Sequence, residues 1–302
     1  MGTMTNDWVL MYHRVCRREP ATECWFERGT AVTPDAFALQ LAWIAERYLI
    51  VGLHELLAAP SRIGRSRVAL TFDDGYAEVA GVVATMCRSL GVVGTCFVPA
   101  APVFTREPLW FDAWYACVAV GRELPAWRAR IQAWGGPLAD DLRGWAFGAP
   151  RRWLAALAAD ERRDRLRALA HLAGVAEGAV PYVGLGDLRL LVSRGWAIGG
   201  HGAVHERLTD CDEHALGAEL AASRSLLDDT GGDGAALFAY PDGAWDQRVV
   251  QRVAQAGFAA ACTVEPGPVT AGVSRLQLPR LFCRGAGPIP HPALGARGEL
   301  TP

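Results

Sequence analysis

The chain contains no lysine; all thirty of its basic residues are arginine. That removes a Schiff-base lysine and the phosphate-binding lysine of a P-loop. No C-x-x-C pair occurs among the eight cysteines at positions 16, 24, 87, 96, 117, 211, 262 and 283. Cys96 and Cys262 lie inside apolar runs and read as small core residues, and a chain of 302 residues does not need disulfide staples. Neither sign of charge dominates. A net charge of −2 leaves no electrostatic footprint for nucleic acid or an anionic membrane. Long hydrophobic runs are missing near the amino terminus, where Trp8 to Tyr12 is too short for a signal peptide or a membrane span. This reading expects a cytoplasmic protein without a membrane span. There is no G-x-S-x-G for a serine hydrolase and no glycine-rich nucleotide fingerprint.

What is present is organised around Val68 to Tyr76, VALTFDDGY. An apolar run stops abruptly at Asp73 and Asp74, with Gly75 behind them, as a buried strand ended by a turn. Adjacent carboxylates at the end of a buried strand repel and are costly to desolvate. A bound metal ion would offset that. Taken alone, an Asp-Asp-Gly turn capping the next helix accounts for the run equally well. Far downstream, His201 and His205 stand four apart; in a helical turn both imidazoles would share one face and could share a metal ion. Alone this spacing is weak evidence. With Asp74 it supplies two nitrogens and one oxygen, the ligand set of a catalytic zinc site with positions open for water. Asp73 is then free to act as general base on that water.

Strand and helix signals alternate over most of the chain. Strands are expected at Trp8–Tyr12, Tyr48–Gly52, Gly94–Pro99, Trp196–Ile198, Ala236–Tyr240, Phe258–Thr263 and Leu278–Phe282. Helices are expected at 33–48, capped by Thr33 with Pro34 first, and at 53–58, 77–90, 186–194, 213–228 and 245–255. The alternation predicts a parallel α/β architecture with its site at the strands' carboxyl ends. From about 105 to 180 the rhythm breaks into a Trp-, Arg- and Ala-rich stretch, read as a helical insertion that is either a lid or a buttress. Within it 151–172 has the spacing of one amphipathic helix. The proline-rich tail after Phe282 reads as loop or disorder.

At this point TFDDG, H-x-x-x-H and FAYPDG (238–243), in that order, resemble the NodB-type polysaccharide deacetylases, carbohydrate esterase family four. LMYHRV and LPRLF resemble segments of one branch of that family. The resemblance covers roughly residues 8–104 and 181–284 and implies a distorted (β/α) barrel, a single catalytic domain over 1–302 with the 105–180 insertion inside it. It also implies divalent-metal-dependent removal of acetyl groups from N-acetylated sugars. By motif, Asp73 is the base and Asp74, His201 and His205 bind the metal, most simply Zn2+, although Co2+, Ni2+ and Fe2+ suit the same ligands. Tyr240–Pro241 lines the groove, with the Tyr240 backbone N–H on the oxyanion.

The sequence departs from the family in three places. Leu278–Pro279–Arg280 lacks the histidine that usually serves as acid. The arginine that usually precedes the motif-three proline and orients the base is absent, with Ala239 or Tyr240 in its place. Gly202 replaces the hydroxyl residue between the histidines, which implies looser support of the ligands. Arg280, at its own strand end, is the expected partner of Asp73, and His13, ending the first strand, is the expected acid or substrate contact. Trp110, with Phe111, Asp112 and Trp114, offers an aromatic wall for a sugar ring or else core packing. Asp242 and Asp246 fit turn and N-cap roles; His54, His171 and His214 read as ordinary helix residues. The expected substrate is an N-acetylated sugar, glycoconjugate or natural product. The alternatives are a deformylase or other amide hydrolase on the same metal site, and a barrel that binds glycan without hydrolysing it.

Overall fold

In the computed structural model, which describes residues 6–58, 65–176, 178–232 and 236–295, the apolar runs become eight parallel strands of one sheet. They are β1 (Trp8–Tyr12), β2 (Leu49–Ile50), β3 (Arg67–Phe72), β4 (Thr95–Val98), β5 (Ala197–Gly200), β6 (Leu237–Ala239), β7 (Ala260–Cys262) and β8 (Leu281–Phe282). β1 lies between β8 and β3. β3 pairs with β2 at Arg67 and Val68 and with β4 at Thr71 and Phe72, and β4 to β7 then follow in chain order. Beyond β7 the chain turns back so that Leu278 bridges Cys262, while three residues later Leu281 pairs with Leu10. One short segment, Leu278–Phe282, thus bonds to both ends of the sheet and closes a distorted barrel.

Strand periodicity decides which side chains enter it. Leu10, Tyr12, Val68, Leu70 and Phe72 pack in one cluster with Phe37, Leu41 and Ile44 of helix Pro34–Arg47 and with Leu188 and Leu191 of helix Leu185–Ser193. The alternate residues Val9, Ala69, Phe97, Leu237, Ala239, Ala260 and Cys262 form a second cluster. Apart from Phe97, its members are small or aliphatic, and that leaves space among the strands. Helix starts follow the expected chemistry. Thr33 accepts from Ala36 N–H at the first helix, and Asp246 accepts from Val249 N–H at helix Gln247–Gln255.

The chain divides into two compact units. One comprises residues 1–15, 32–105 and 182–302 and holds the barrel; the other comprises 16–31 and 106–181. The second unit is helical and built on tryptophan: Trp114 stacks on Trp127 at 5.6 Å, Trp145 meets Trp127 edge-on at 5.2 Å, and Trp25 donates to Asp112 at 2.7 Å. The single amphipathic helix expected over 151–172 is in fact two, Ala149–Ala155 and Ala159–Ala173. Arg162 explains the break, because its guanidinium reaches back to the Ala155 and Leu157 carbonyls at the end of the first helix. Its charge is spent on capping rather than left to solvent. Residues 16–31, which carry helix Glu23–Arg28, complete this unit and gave no sequence signal linking them to it. All eight cysteines are free thiols. No helix among the described residues is long and apolar enough to cross a membrane. The tail from 296 onward lies outside the described residues.

Close packing inside the barrel makes Gly199 a sensitive position. A Cβ there would stand 2.4 Å from the Phe97 ring and 3.1 Å from the Leu237 carbonyl oxygen. Gly199→Ala is therefore expected to destabilise the fold by roughly 1–3 kcal/mol, the usual cost of overpacking. Urea denaturation followed by far-UV circular dichroism checks this; an unchanged midpoint would contradict the packing described.

Candidate metal centre

The alternation that turns Ala69 inward turns Thr71 and Asp73 inward as well. Asp74 should then face the helices, but its backbone adopts φ +71° and Gly75 follows at +68°. This left-handed pair ends the alternation and leaves both carboxylates buried at the strand's carboxyl end, 2% and 4% exposed.

His201 follows β5 directly, its N–H donating to the Val98 carbonyl as a last rung of the sheet. The helical turn expected to carry His201 and His205 is not there. The segment is a loop with Gly202 at φ +77° and His205 at φ +61°, and these two residues fold it back so that the rings meet edge-to-face, centroids 4.7 Å apart. Two glycines in the strand, a third just after it and short side chains favour such a loop over a helix. His201 Nδ1 lies 2.7 Å from the Ala239 carbonyl, which fixes the tautomer that presents Nε2.

Asp74 Oδ1 is buried and has no hydrogen-bond partner among the described residues. It stands 3.4 Å from His201 Nε2 and 3.4 Å from His205 Nε2. Those contacts are long for charge-assisted hydrogen bonds. They match the separation of atoms sharing one ion, since ligands about 2.0–2.2 Å from a tetrahedral metal stand roughly 3.3–3.6 Å apart. The donor set therefore fits a divalent cation, and it is a cluster of three within 4.8 Å. Burial would raise the Asp74 carboxyl, but the imidazoles outweigh it and hold it far below the usual range.

Asp73 is paired with Arg280. The guanidinium makes two bonds to the carboxylate, both 2.7 Å, and further bonds to the Thr71 hydroxyl (3.2 Å) and the Thr263 carbonyl (2.8 Å). It also lies over the Phe97 ring, 5.5 Å from its centroid. Burial pushes Asp73 up; Arg280 first, then His201 and His13, bring it below the ordinary carboxylate value. Ala239, in the place of the absent arginine, belongs to the cluster of small residues, and the guanidinium arrives from the closing segment instead. His13 is half-buried, within electrostatic reach of both carboxylates, with Phe282 edge-on at 5.4 Å; its Nδ1 is buried and has no partner among the described residues.

Tyr240 does not take the expected place. Its backbone N–H donates to the Cys262 carbonyl at 3.1 Å, one more rung between β6 and β7, so it is not available to an oxyanion. Its ring is fully buried against Phe238, and its hydroxyl donates to the Leu276 carbonyl at 2.9 Å. Pro241 begins the turn that follows, with Asp242 at φ +53°. Trp110 belongs to the helical unit, where the guanidiniums of Arg151 and Arg162 lie over its ring at 4.8 and 5.0 Å. Trp114 and Asp112 are core residues there.

Gly202 does not loosen the ligand loop. From helix Glu213–Thr230, Ser223 donates to the Gly202 carbonyl at 3.0 Å, and Glu219 accepts from Ala203 and Val204. Neither residue stood out by motif. The available signal was a carboxylate on the buried stripe formed by Leu216, Leu220 and Ser223.

The parallel barrel thus brings one carboxylate and two imidazoles together where they could hold a divalent cation, with a second carboxylate beside them. Residues 166–261 match the family model described as polysaccharide deacetylase. The fold is similar to that of a Streptococcus pyogenes deacetylase, PplD, described in complex with acetate: 16% identity, TM-score 0.61, covering 99% of this chain and 100% of that one. It is also similar to a Bacillus cereus polysaccharide deacetylase (15%, 0.62, covering 97% and 69%) and to IcaB from Ammonifex degensii (16%, 0.54, covering 92% and 91%). No curated protein sequence matches the chain. The match over residues 166–261 and the similarity of fold agree with the resemblance that the motifs carry.

Removing one partner of a buried ion pair leaves the other charge uncompensated, at about 3–5 kcal/mol. Arg280→Ala is expected to destabilise the protein by that order, because Asp73 is 2% exposed and both its oxygens are bonded to the guanidinium. Equilibrium denaturation of the metal-free protein measures it; a loss below about 1 kcal/mol, the size of a surface pair, would contradict the burial.

Proposed function

We propose that the protein is a metal-dependent N-deacetylase that hydrolyses the acetamide of an acetylated sugar or sugar conjugate, with Zn2+ as the metal. The observation that carries this reading is the orphaned Asp74 Oδ1, equidistant from two imidazole nitrogens and next to an independently anchored carboxylate. A cation bound by Asp74, His201 and His205 would polarise the acetamide carbonyl and acidify a bound water.

The chain's own residues divide the remaining work. Asp73, kept ionised by Arg280, accepts the proton of the attacking water; each of its oxygens retains a lone pair beyond the one facing the guanidinium. Arg280 fixes the direction of that carboxylate. Its four bonds leave little freedom to rotate, and a fixed base avoids reorganisation during the reaction. His13, with its unpartnered Nδ1 at the end of β1, is assigned to protonating the leaving amine. Since the Tyr240 N–H is engaged in the sheet, the oxyanion has no backbone donor from that residue.

The test is acetate release from a panel of N-acetylhexosamine compounds by zinc-loaded protein. Asp73→Asn keeps the shape of the side chain and removes the base, so turnover is expected to fall by about 100-fold or more with zinc content unchanged. Acetate release near the wild-type rate from this variant would refute the assignment. His13→Ala is expected to lower turnover while leaving zinc content and the rate of substrate binding intact, as a stopped-flow comparison would show. Full turnover in that variant would return the acid role to another group.

A further inference from the structure

The loop between the two histidines is irregular, yet its backbone is held on both sides. The Gly202 and Ala203 carbonyls accept the N–H groups of Ala100 and Ala101 at 3.0 and 2.8 Å, and the Ser223 hydroxyl adds a bond to the Gly202 carbonyl. The N–H groups of Ala203 and Val204 point the other way. Both go to one atom, Glu219 Oε2, at 2.6 and 3.3 Å.

Glu219 and Ser223 are four residues apart on helix Glu213–Thr230 and share a face; they are 7% and 0% exposed. A carboxylate on the buried stripe of a helix is costly unless its bonds are made. Here they are made to the residues that separate His201 from His205. Gly202 completes the arrangement. Its φ of +77° disfavours any side chain, and a Cβ would come within 2.6 Å of Glu219 Oε2. The absent hydroxyl residue and the buried carboxylate are two sides of one packing solution: the glycine admits the carboxylate, and the carboxylate shapes the loop.

We propose that Glu219 is the positioning residue of the metal centre, its carboxylate setting the 202–204 loop so that His201 and His205 face Asp74 before any metal binds. This rests on the reading of Asp74, His201 and His205 as a metal site, and the experiment separates the two.

Affinity for Zn2+ alone is measured by competition with a chelating dye, together with the visible spectrum of Co2+-loaded protein and the melting temperature of the metal-free protein. Glu219→Leu keeps the bulk and removes the acceptor; it is expected to weaken Zn2+ binding roughly 10- to 100-fold and to alter the Co2+ spectrum. In Glu219→Gln an amide oxygen can replace Oε2, so affinity and spectrum are expected close to wild type. Wild-type affinity and spectrum in Glu219→Leu, with only a lowered melting temperature, would make Glu219 a tie of the fold and overturn the proposal. Should Glu219→Leu fail to fold, amide hydrogen exchange at Ala203 and Val204 in the metal-free wild type decides. Protection supports the proposal, and exchange at the rate of an unstructured loop overturns it. Absence of Zn2+ uptake by the wild type would refute the metal centre itself, whereas uptake with unaltered affinity in the variant refutes only the role of Glu219.

Discussion

The contact between Asp73 and Arg280 joins residues 207 positions apart and decides more than the orientation of one carboxylate. Stripping water from both ions costs several kcal/mol each, and their mutual attraction offsets that only when the remaining donors are also bonded. Here they are. Thr71 and Thr263 take the guanidinium protons that the carboxylate does not. Arg280 lies in the segment that bridges β7 at Leu278 and pairs with β1 at Leu281, so the guanidinium reaches Asp73 only when the ring is closed. Closure and ionisation support each other. Without the strand the carboxylate would be buried and unpaired; without the carboxylate the strand would bring a naked cation into an apolar interior.

The cluster of Asp74, His201 and His205 depends on a second constraint, backbone in the left-handed region. Asp74 and His205 are two of only four non-glycine residues with positive φ among the described residues. Such conformations cost on the order of 1–3 kcal/mol each and persist only where the surroundings fix them. For Asp74 the fixing comes from β3 before it and from Gly75 after it, whose own added Cβ would lie 2.9 Å from Val98. For His205 it comes from the loop clamped between Ala100, Ala101 and the helix carrying Glu219. Strand parity alone would separate Asp73 from Asp74. The turn after Phe72 is what brings the two adjacent carboxylates into one place.

Much of this was legible in the chain. Apolar runs of the right length gave most strands within a residue or two, the last starting three residues later than expected at Leu281, and Thr33 with Pro34 and Asp246 marked helix starts because capping is local chemistry. That Asp74, His201 and His205 would converge was legible because few residue types offer such donor atoms. Their geometry was not. Four-residue spacing suggested a helical face for His201 and His205, while the glycines around them allowed a loop that reaches the same convergence by positive φ. The Tyr240 N–H was misassigned for a related reason. Sequence marks the end of a strand to within a residue, and whether that last N–H still finds a rung depends on the neighbouring strand, here Cys262. Glu219 carried a visible signal, an acid among leucines on one helical face, but its partners are backbone groups that no pattern names. The split of 151–172 hinged on one arginine turning back on a helix end, and the pairing of 16–31 with 106–181 hinged on contacts across about ninety residues.

The resemblance implies an arginine ahead of Pro241 and a hydroxyl between the histidines; this chain has neither, and in the fold other side chains reach Asp73 and the 202–204 loop. Arg280 comes from the closing segment and Glu219 with Ser223 from a helix, so charged or hydroxyl side chains cross buried space to do what a neighbour in sequence would do. Such groups hold position only if the elements carrying them are themselves fixed, and both are: the segment by pairing at each end, the helix by its buried leucine stripe. Asp73, Asp74 and the two histidines therefore draw their rigidity from the tertiary fold rather than from their own motifs. The arrangement therefore depends on packing at a position that looks unremarkable, Gly202, where an added Cβ would come within 2.6 Å of Glu219 Oε2.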